Sequence, residues 1–185
     1  NKDGVYEVYV TTASGTASSI QTIYISVTDA PESPIISTKE ISNVPENLTV
    51  IATIIASDED RNSNLSFSLS DSSGVKDESL LSIDSATGAV TFLAAPNFES
   101  PSDLNSDNTV NFSVIVSDGV LSSQADYTFT ITNVNESPVI TTTEIENISE
   151  GSTSVVTIVA SDPDAGSALS YLLVDSSGAK DESLL

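Results

Sequence analysis

Apolar side chains recur at every second position in short runs along this chain. Residues 4–10 alternate through Tyr6, Val8 and Val10, and residues 19–27 through Ile23, Ile25 and Val27. Successive side chains of a strand point to opposite faces, so this spacing of β-branched and aromatic residues predicts half-buried strands. Further strands are predicted at 35–38, 49–56, 65–69, 80–83, 89–92, 110–116 and 127–132. Seven short strands in about a hundred residues, with turn residues between them, is the pattern of a two-sheet sandwich. Asp84-Ser85-Ala86-Thr87-Gly88 and Ser14-Gly15-Thr16 supply turns, and Pro96 and Pro101 bracket a loop. Helix fits poorly, because no window shows 3.6-residue spacing and Ser, Thr, Val and Ile dominate.

The strand pattern repeats. Thr28-Asp29-Ala30-Pro31-Glu32-Ser33-Pro34 recurs as Thr132-Asn133-Val134-Asn135-Glu136-Ser137-Pro138, and 136 − 32 gives a spacing of 104 positions. Sliding the chain by that amount aligns Asn1 with Asn105 and Leu81 with Leu185 without a gap, and nearly half of the pairs are identical. A spacing of this length is too long for a solenoid and suits tandem independent modules. The expected organisation is the last strands of one repeat over 1–31, a complete repeat over 32–135, and the first strands of a third over 136–185. Two strands cannot bury a face alone, so the chain reads as a window on a longer protein. The fold class expected is therefore all-β, a tandem of Greek-key β-sandwich modules of about seven strands each in an elongated chain.

Composition narrows the function. The 185 residues include 27 acids, 5 basic residues and no histidine, for a formal net charge of −22. Such a surface repels nucleic acid and anionic lipid and attracts cations. Without cysteine there is neither a disulfide framework nor a thiolate metal site, and no apolar run is long enough to span a membrane. Lacking His and Cys, the chain offers no Ser-His-Asp triad, no thiol nucleophile and no imidazole zinc site. A carboxylate pair could serve glycoside hydrolysis, but with no Trp there is no sugar platform, and the expectation is that this is not an enzyme.

The acids fall at fixed places in the repeat. Asp58-Glu59-Asp60 follows the 49–56 segment, and Asp162-Pro163-Asp164 does the same one repeat later. Carboxylates two positions apart on a strand share a face at roughly 7 Å, so a bend is needed to converge them. Glu46 with its copy Glu150, then Glu99, Asp118 and the acids and amides of the junctions are further candidates. Crowded carboxylates repel one another unless protonated or cation-bound, and Ca²⁺ takes about six to eight oxygen ligands of this kind. Asp and Asn are also common turn formers, and an acidic surface can simply keep a secreted protein soluble.

Six short motifs stand in order: Pro45-Glu46-Asn47, Ala56-Ser57-Asp58-Glu59-Asp60, Ile83-Asp84-Ser85-Ala86-Thr87-Gly88, Pro96-Asn97-Phe98-Glu99, Ser117-Asp118-Gly119 and Asn133-Val134-Asn135-Glu136-Ser137. In these the chain resembles the cadherin-like modules strung in tandem in large bacterial surface adhesins of the calcium-binding, RTX type. The resemblance implies Ca²⁺ held between consecutive modules. Carried over, Glu46, Glu99, Asn133, Asn135 and Glu136 would join Asp162 and Asp164 at the second junction, and Asp29 and Glu32 would meet Asp58, Asp60 and Asp118 at the first. Asn97, Ser137, Pro31 and Ser14 depart from the family pattern, which implies a smaller ion set than the family's full one.

A second candidate is Asp103-Leu104-Asn105-Ser106-Asp107-Asn108, which looks like the opening of an EF-hand loop. Its twelfth position is Val114 rather than Glu, so it is no EF-hand. Asp103, Asn105 and Asp107 make either a calcium loop within the module or an Asx-rich turn. Two functions follow as expectations. The first is an extracellular or cell-surface extender of an adhesin, stiffened by calcium for cell adhesion or biofilm formation, with calcium ions and neighbouring repeats as partners. The second is a self-assembling subunit of an extracellular filament or surface layer, with homotypic contacts made by strand addition between chains.

Overall fold

The computed structural model describes residues 4–28, 30–60, 64–70, 76–142, 147–154 and 156–173. The strands are β1 (Val5–Ser14), β2 (Ala17–Ser26), β3 (Ile35–Ile36), β4 (Val44–Pro45), β5 (Val50–Thr53), β6 (Ala56–Ser57) and β7 (Ser66–Leu69). After one 3-10 turn at Glu78–Leu80 come β8 (Leu81–Ile83), β9 (Ala89–Phe92), β10 (Thr109–Ser117), β11 (Ser122–Thr132), β12 (Val139–Ile140) and β13 (Ala160–Ser161). The chain is all-β and its centre is a sandwich.

One sheet has the order β4-β11-β10-β7 and the other β5-β9-β8, with β3 and β6 paired beside them. Strands of the two sheets alternate along the chain, β4 preceding β5, β7 preceding β8 and β9 preceding β10, so the sheets are interleaved. The predicted alternation decides the core. Val110, Phe112, Val114 and Val116 of β10 are fully buried, as are Phe129 and Ile131 of β11 and Val90 of β9 to within a few per cent. Each such side chain contributes roughly 1.5–3 kcal/mol relative to exposure. Phe129 closes the two layers together, meeting Phe92 of the opposite sheet edge-on at 5.9 Å and Phe112 at 6.2 Å. The predicted turn at Asp84 forms. Its Oδ1 accepts the backbone N–H of Ala86 and Thr87, and Gly88 takes φ +72° at a point where a Cβ would stand 2.5 Å from Ile54 O and 3.1 Å from the Phe67 ring.

Several predicted boundaries need correction. The 49–56 segment is two strands, because its partners change within it. β5 pairs with β9 through a bulge between Val50 and Ala52, whereas Ile54 N–H donates to Gly88 O and Ile55 N–H to Thr38 Oγ1 before β6 pairs with β3. Leu80 belongs to the 3-10 turn, and β3 ends at Ile36. β1, β2, β10 and β11 run further than their apolar alternation, since hairpin pairing carries the polar ends of both ladders along. β4 was not anticipated: two residues, one a proline, pair in parallel with β11 at Ile131↔Val44 and Thr132↔Pro45, an edge position where proline is tolerated.

On either side of the sandwich the described strands are sparse. β1 and β2 form a hairpin, but the faces expected to be half-buried are not covered among the described residues: Tyr6, Val8, Val10, Ile23 and Ile25 stand exposed, as do Tyr9, Ile20 and Tyr24. β12 and β13 pair at Val139↔Ser161 and Ile140↔Ala160, which repeats, 104 positions on, the β3–β6 pairing Ile35↔Ser57 and Ile36↔Ala56. The side-chain bonds repeat too: Thr38 Oγ1 accepts Ile55 N–H at 2.8 Å and Thr142 Oγ1 accepts Val159 N–H at 2.8 Å.

Candidate metal centre

The end of β11 and the loop before β10 lie beside the Glu46 turn, and this brings three glutamates together. Glu46 follows β4 and is 1% exposed. Its Oε2 accepts the backbone N–H of Phe98 and its Oε1 that of Val134, each at 2.8 Å. One carboxylate thus ties the 96–99 loop and the segment leaving β11 to the same point. That brings in Glu99 from the loop and Glu136 from the segment after β11, and one carboxylate oxygen from each of Glu46, Glu99 and Glu136 lies within 4.8 Å of the others.

Asparagine amides hold two of these carboxylates. Asn133 Nδ2 donates to Glu99 Oε1 at 2.8 Å, and Asn47 Nδ2 donates to Glu136 Oε1 at 3.1 Å. The second oxygens, Glu99 Oε2 and Glu136 Oε2, are buried and accept no hydrogen bond from any described residue. A buried acceptor left unmade costs about 1–3 kcal/mol, more for a charged group. Burial pushes the Glu99 carboxyl above the ordinary glutamate range, and the charges of Glu46, Glu136 and Asp164 push it the same way.

Asp164 arrives from beyond β13. Glu136 N–H donates to Asp164 Oδ2 at 2.7 Å, and Asp164 N–H donates to Asp162 Oδ1 at 2.9 Å. The bend predicted for D-x-D is therefore present: the first carboxylate caps the backbone of the second. An open cleft lined by Phe98, Glu99, Asn133, Asn135, Pro163 and Asp164 lies here. Asn135 points its amide elsewhere, to the carbonyl of Glu136 at 3.1 Å.

The same arrangement recurs at the other end of the sandwich. Asp60 N–H donates to Asp58 Oδ1 at 2.7 Å, and Glu32 N–H to Asp60 Oδ2 at 3.1 Å. Asp118 joins them, so that Asp58, Asp60 and Asp118 each offer an oxygen within 4.8 Å of the others. The N–H groups of Val120 and Leu121, both bound to Asp118 Oδ1 at 2.6 Å, hold its carboxyl below the ordinary aspartate range.

Both groups fit a hard divalent cation. All donors are oxygen, and Ca²⁺ at roughly 2.3–2.6 Å from each ligand spans oxygens up to about 5 Å apart. At the Glu46 group the two buried oxygens lacking a partner are the acceptors such an ion would take. Glu46, Glu99, Glu136 and Asp164 would hold it there, and Asp58, Asp60 and Asp118 at the other end.

Other predicted residues stand apart. Asp29 lies outside the described residues. Glu150 is exposed and belongs to neither group. Asp103 is buried and accepts the N–H groups of Asp107 and Asn108 at 2.9 and 3.1 Å. Asp107 accepts Thr109 N–H and the Asn105 amide, both at 2.8 Å. With Ser106 and Asn108 at φ +57° and +61°, this loop has the geometry of an Asx-rich turn. Sequence reasoning missed Asn47, whose only signal was its place after Glu46. It also missed Asp77, a buried carboxylate that accepts Leu104 N–H and Asn111 N–H at 2.8 Å and so ties the same loop to β10. The Lys76–Asp126 ion pair at 2.8 Å, joined by Ser113, was likewise unforeseen.

No protein-family profile matches the chain, and no curated protein matches it. Solved structures do. A structure of protocadherin gamma B7 extracellular cadherin domains 1–4 is 22% identical at a TM-score of 0.58, over 89% of this chain and 42% of that one. The protocadherin gamma B7 domain 3–6 cis-dimer structure is 21% identical at a TM-score of 0.57, over 89% and 44%. Protocadherin gamma B2 domains 3–6 are 20% identical at 0.55, over 88% and 43%. The chain spans about two-fifths of the length of these structures. The fold is cadherin-like.

Proposed function

We propose that this chain is a calcium-binding extender from a secreted or cell-surface adhesin, built of cadherin-like modules with boundaries at 1–31, 32–135 and 136–185. The bacterial, RTX-type setting is part of the proposal and rests on the tandem motifs. The observation that carries the reading is the pair of buried, unpartnered oxygens on Glu99 and Glu136, converging with Glu46 where the Asp162–Asp164 bend meets the end of β11. Calcium bound there would neutralise the crowded carboxylates and cross-link the sandwich to the segment that follows.

The chain's own residues do the rest. Glu46 fixes the loop and linker, the amides orient Glu99 and Glu136, and Glu136 N–H anchors Asp164. Extracellular calcium modules bind at about 10⁻⁴ to 10⁻³ M, and free calcium at ten times the dissociation constant adds roughly 1.4 kcal/mol per site. Several sites at one junction would suppress bending and project a distal domain for adhesion or biofilm formation. Calcium titration by calorimetry, with small-angle scattering of the calcium-loaded and chelator-treated chain, tests this. Saturable binding with a stiffer loaded chain supports the reading; no heat and identical scattering curves refute it.

A further inference from the structure

Asn47 combines three observations. It holds a left-handed backbone, φ +63°, fixed by its N–H donating to Pro96 O at 3.0 Å. Its side-chain amide crosses 89 positions of sequence to Glu136 Oε1. Its counterpart one repeat later, 47 + 104 = 151, is Gly151, also left-handed at φ +84°. Asn and Gly are the residues that enter this conformation at least cost. The backbone requirement is therefore shared by both copies, while the amide belongs to the first alone.

We propose that Asn47 is a positioning residue of the Glu46–Glu99–Glu136 group, whose amide fixes the Glu136 carboxylate so that its buried second oxygen faces the cation. This inference rests on the calcium reading above. It runs against simple charge counting. An aspartate at this position would keep the shape and the left-handed turn and would add a carboxylate, which counting predicts to tighten calcium. Instead, an acceptor would replace the donor that holds Glu136 Oε1, and another negative charge would join three glutamates already crowded together. Glu136 would then turn away from the group, and ordering it would fall to the binding step.

The test is calorimetric calcium titration of the full chain as wild type, Asn47→Asp and Asn47→Gly, with thermal melts of each in chelator. Glycine keeps the turn and removes only the amide. The inference expects both variants to bind calcium about tenfold more weakly at the tightest site, the scale of one hydrogen bond to a charged group, while Asn47→Gly melts in chelator within a few degrees of wild type. Binding by Asn47→Asp as tight as wild type, or tighter, overturns the role of Asn47 and leaves the junction reading standing. Wild-type binding unchanged in Asn47→Gly overturns it as well. A wild-type chain that binds no calcium removes the junction reading and this inference with it.

Discussion

Replacing Glu46 by glutamine probes the junction and the sandwich at once. The carboxylate is 1% exposed and its two oxygens each accept a backbone N–H at 2.8 Å, from Phe98 and Val134. Hydrogen bonds to a charged group contribute roughly 1.5–3 kcal/mol each, and a buried donor left unmade costs about 1–3 kcal/mol. Glutamine retains one acceptor, now neutral, and turns an NH₂ toward the other N–H. Relief of repulsion with Glu99 and Glu136 offsets part of the loss, leaving a net destabilisation of about 2–4 kcal/mol. For a module near a hundred residues each kcal/mol moves the melting temperature by roughly 4–8 °C, so Glu46→Gln melts about 8–32 °C lower in chelator. Circular dichroism melts read this directly. A melt within about 2 °C of wild type would refute the claim that Glu46 ties the 96–99 loop to the segment leaving β11.

Four further outcomes follow from the same geometry. Asp162→Ala with Asp164→Ala leaves the middle sandwich folded but broadens the calcium-loaded scattering distance distribution to that of the chelated wild type; an unchanged distribution counts against the junction. The Glu99 carboxyl, raised in the folded chain by burial and its acidic neighbours, binds its proton more tightly folded than unfolded. In chelator, stability therefore rises as pH falls from neutrality toward the ordinary glutamate range, and Glu99→Gln flattens that slope in melts across pH. Asp126 has the opposite sign: hydrogen bonds from Lys76 and Ser113 hold its carboxyl down to about 2. Its contribution is present above pH 3.8 and lost between 3.8 and 2, so acid titrations of wild type and Asp126→Asn converge there. Gly88→Ala would place a Cβ 2.5 Å from Ile54 O at φ +72°, and the sandwich loses at least about 2 kcal/mol in denaturant titration.

Alternation made the core legible. Val110, Phe112, Val114 and Val116 bury together because period two and the pleat coincide, and Tyr127, Phe129 and Ile131 answer them across the hairpin. What alternation cannot show is a change of partner. The apolar run Val50-Ile51-Ala52-Thr53-Ile54-Ile55-Ala56 is continuous in sequence, yet its hydrogen bonds pass from β9 to Gly88 and then to Thr38. β4 was invisible because two residues, one of them proline, carry no periodic signal. Ser113, fully buried on β10, breaks the expected polar face because Lys76, Glu78 and Asp126 reach it from outside the strand.

The site was legible in part, for a different reason. Acids set at fixed places in a repeat point to convergence even when no pair is close in sequence, and Glu46, Glu99 and Glu136 converge. Their amide partners were not legible as such. Asn133 reads as a ligand, but its amide nitrogen is committed to Glu99, and the donor or acceptor role of an Asn is settled only by what faces it. The Asp103–Asp107 pattern was ambiguous because calcium loops and Asx turns draw on the same residues; the structure shows backbone N–H groups on both Asp103 oxygens and on Asp107 Oδ1, and the Asn105 amide on Asp107 Oδ2.

The most direct test of calcium at the junction is a crystal structure grown in millimolar calcium, with anomalous scattering used to place the ions. The account predicts a peak about 2.3–2.6 Å from Glu99 Oε2 and Glu136 Oε2, with Asp164 in the same coordination sphere. Density showing both oxygens satisfied by protein donors or water, with no anomalous peak between them, would contradict it.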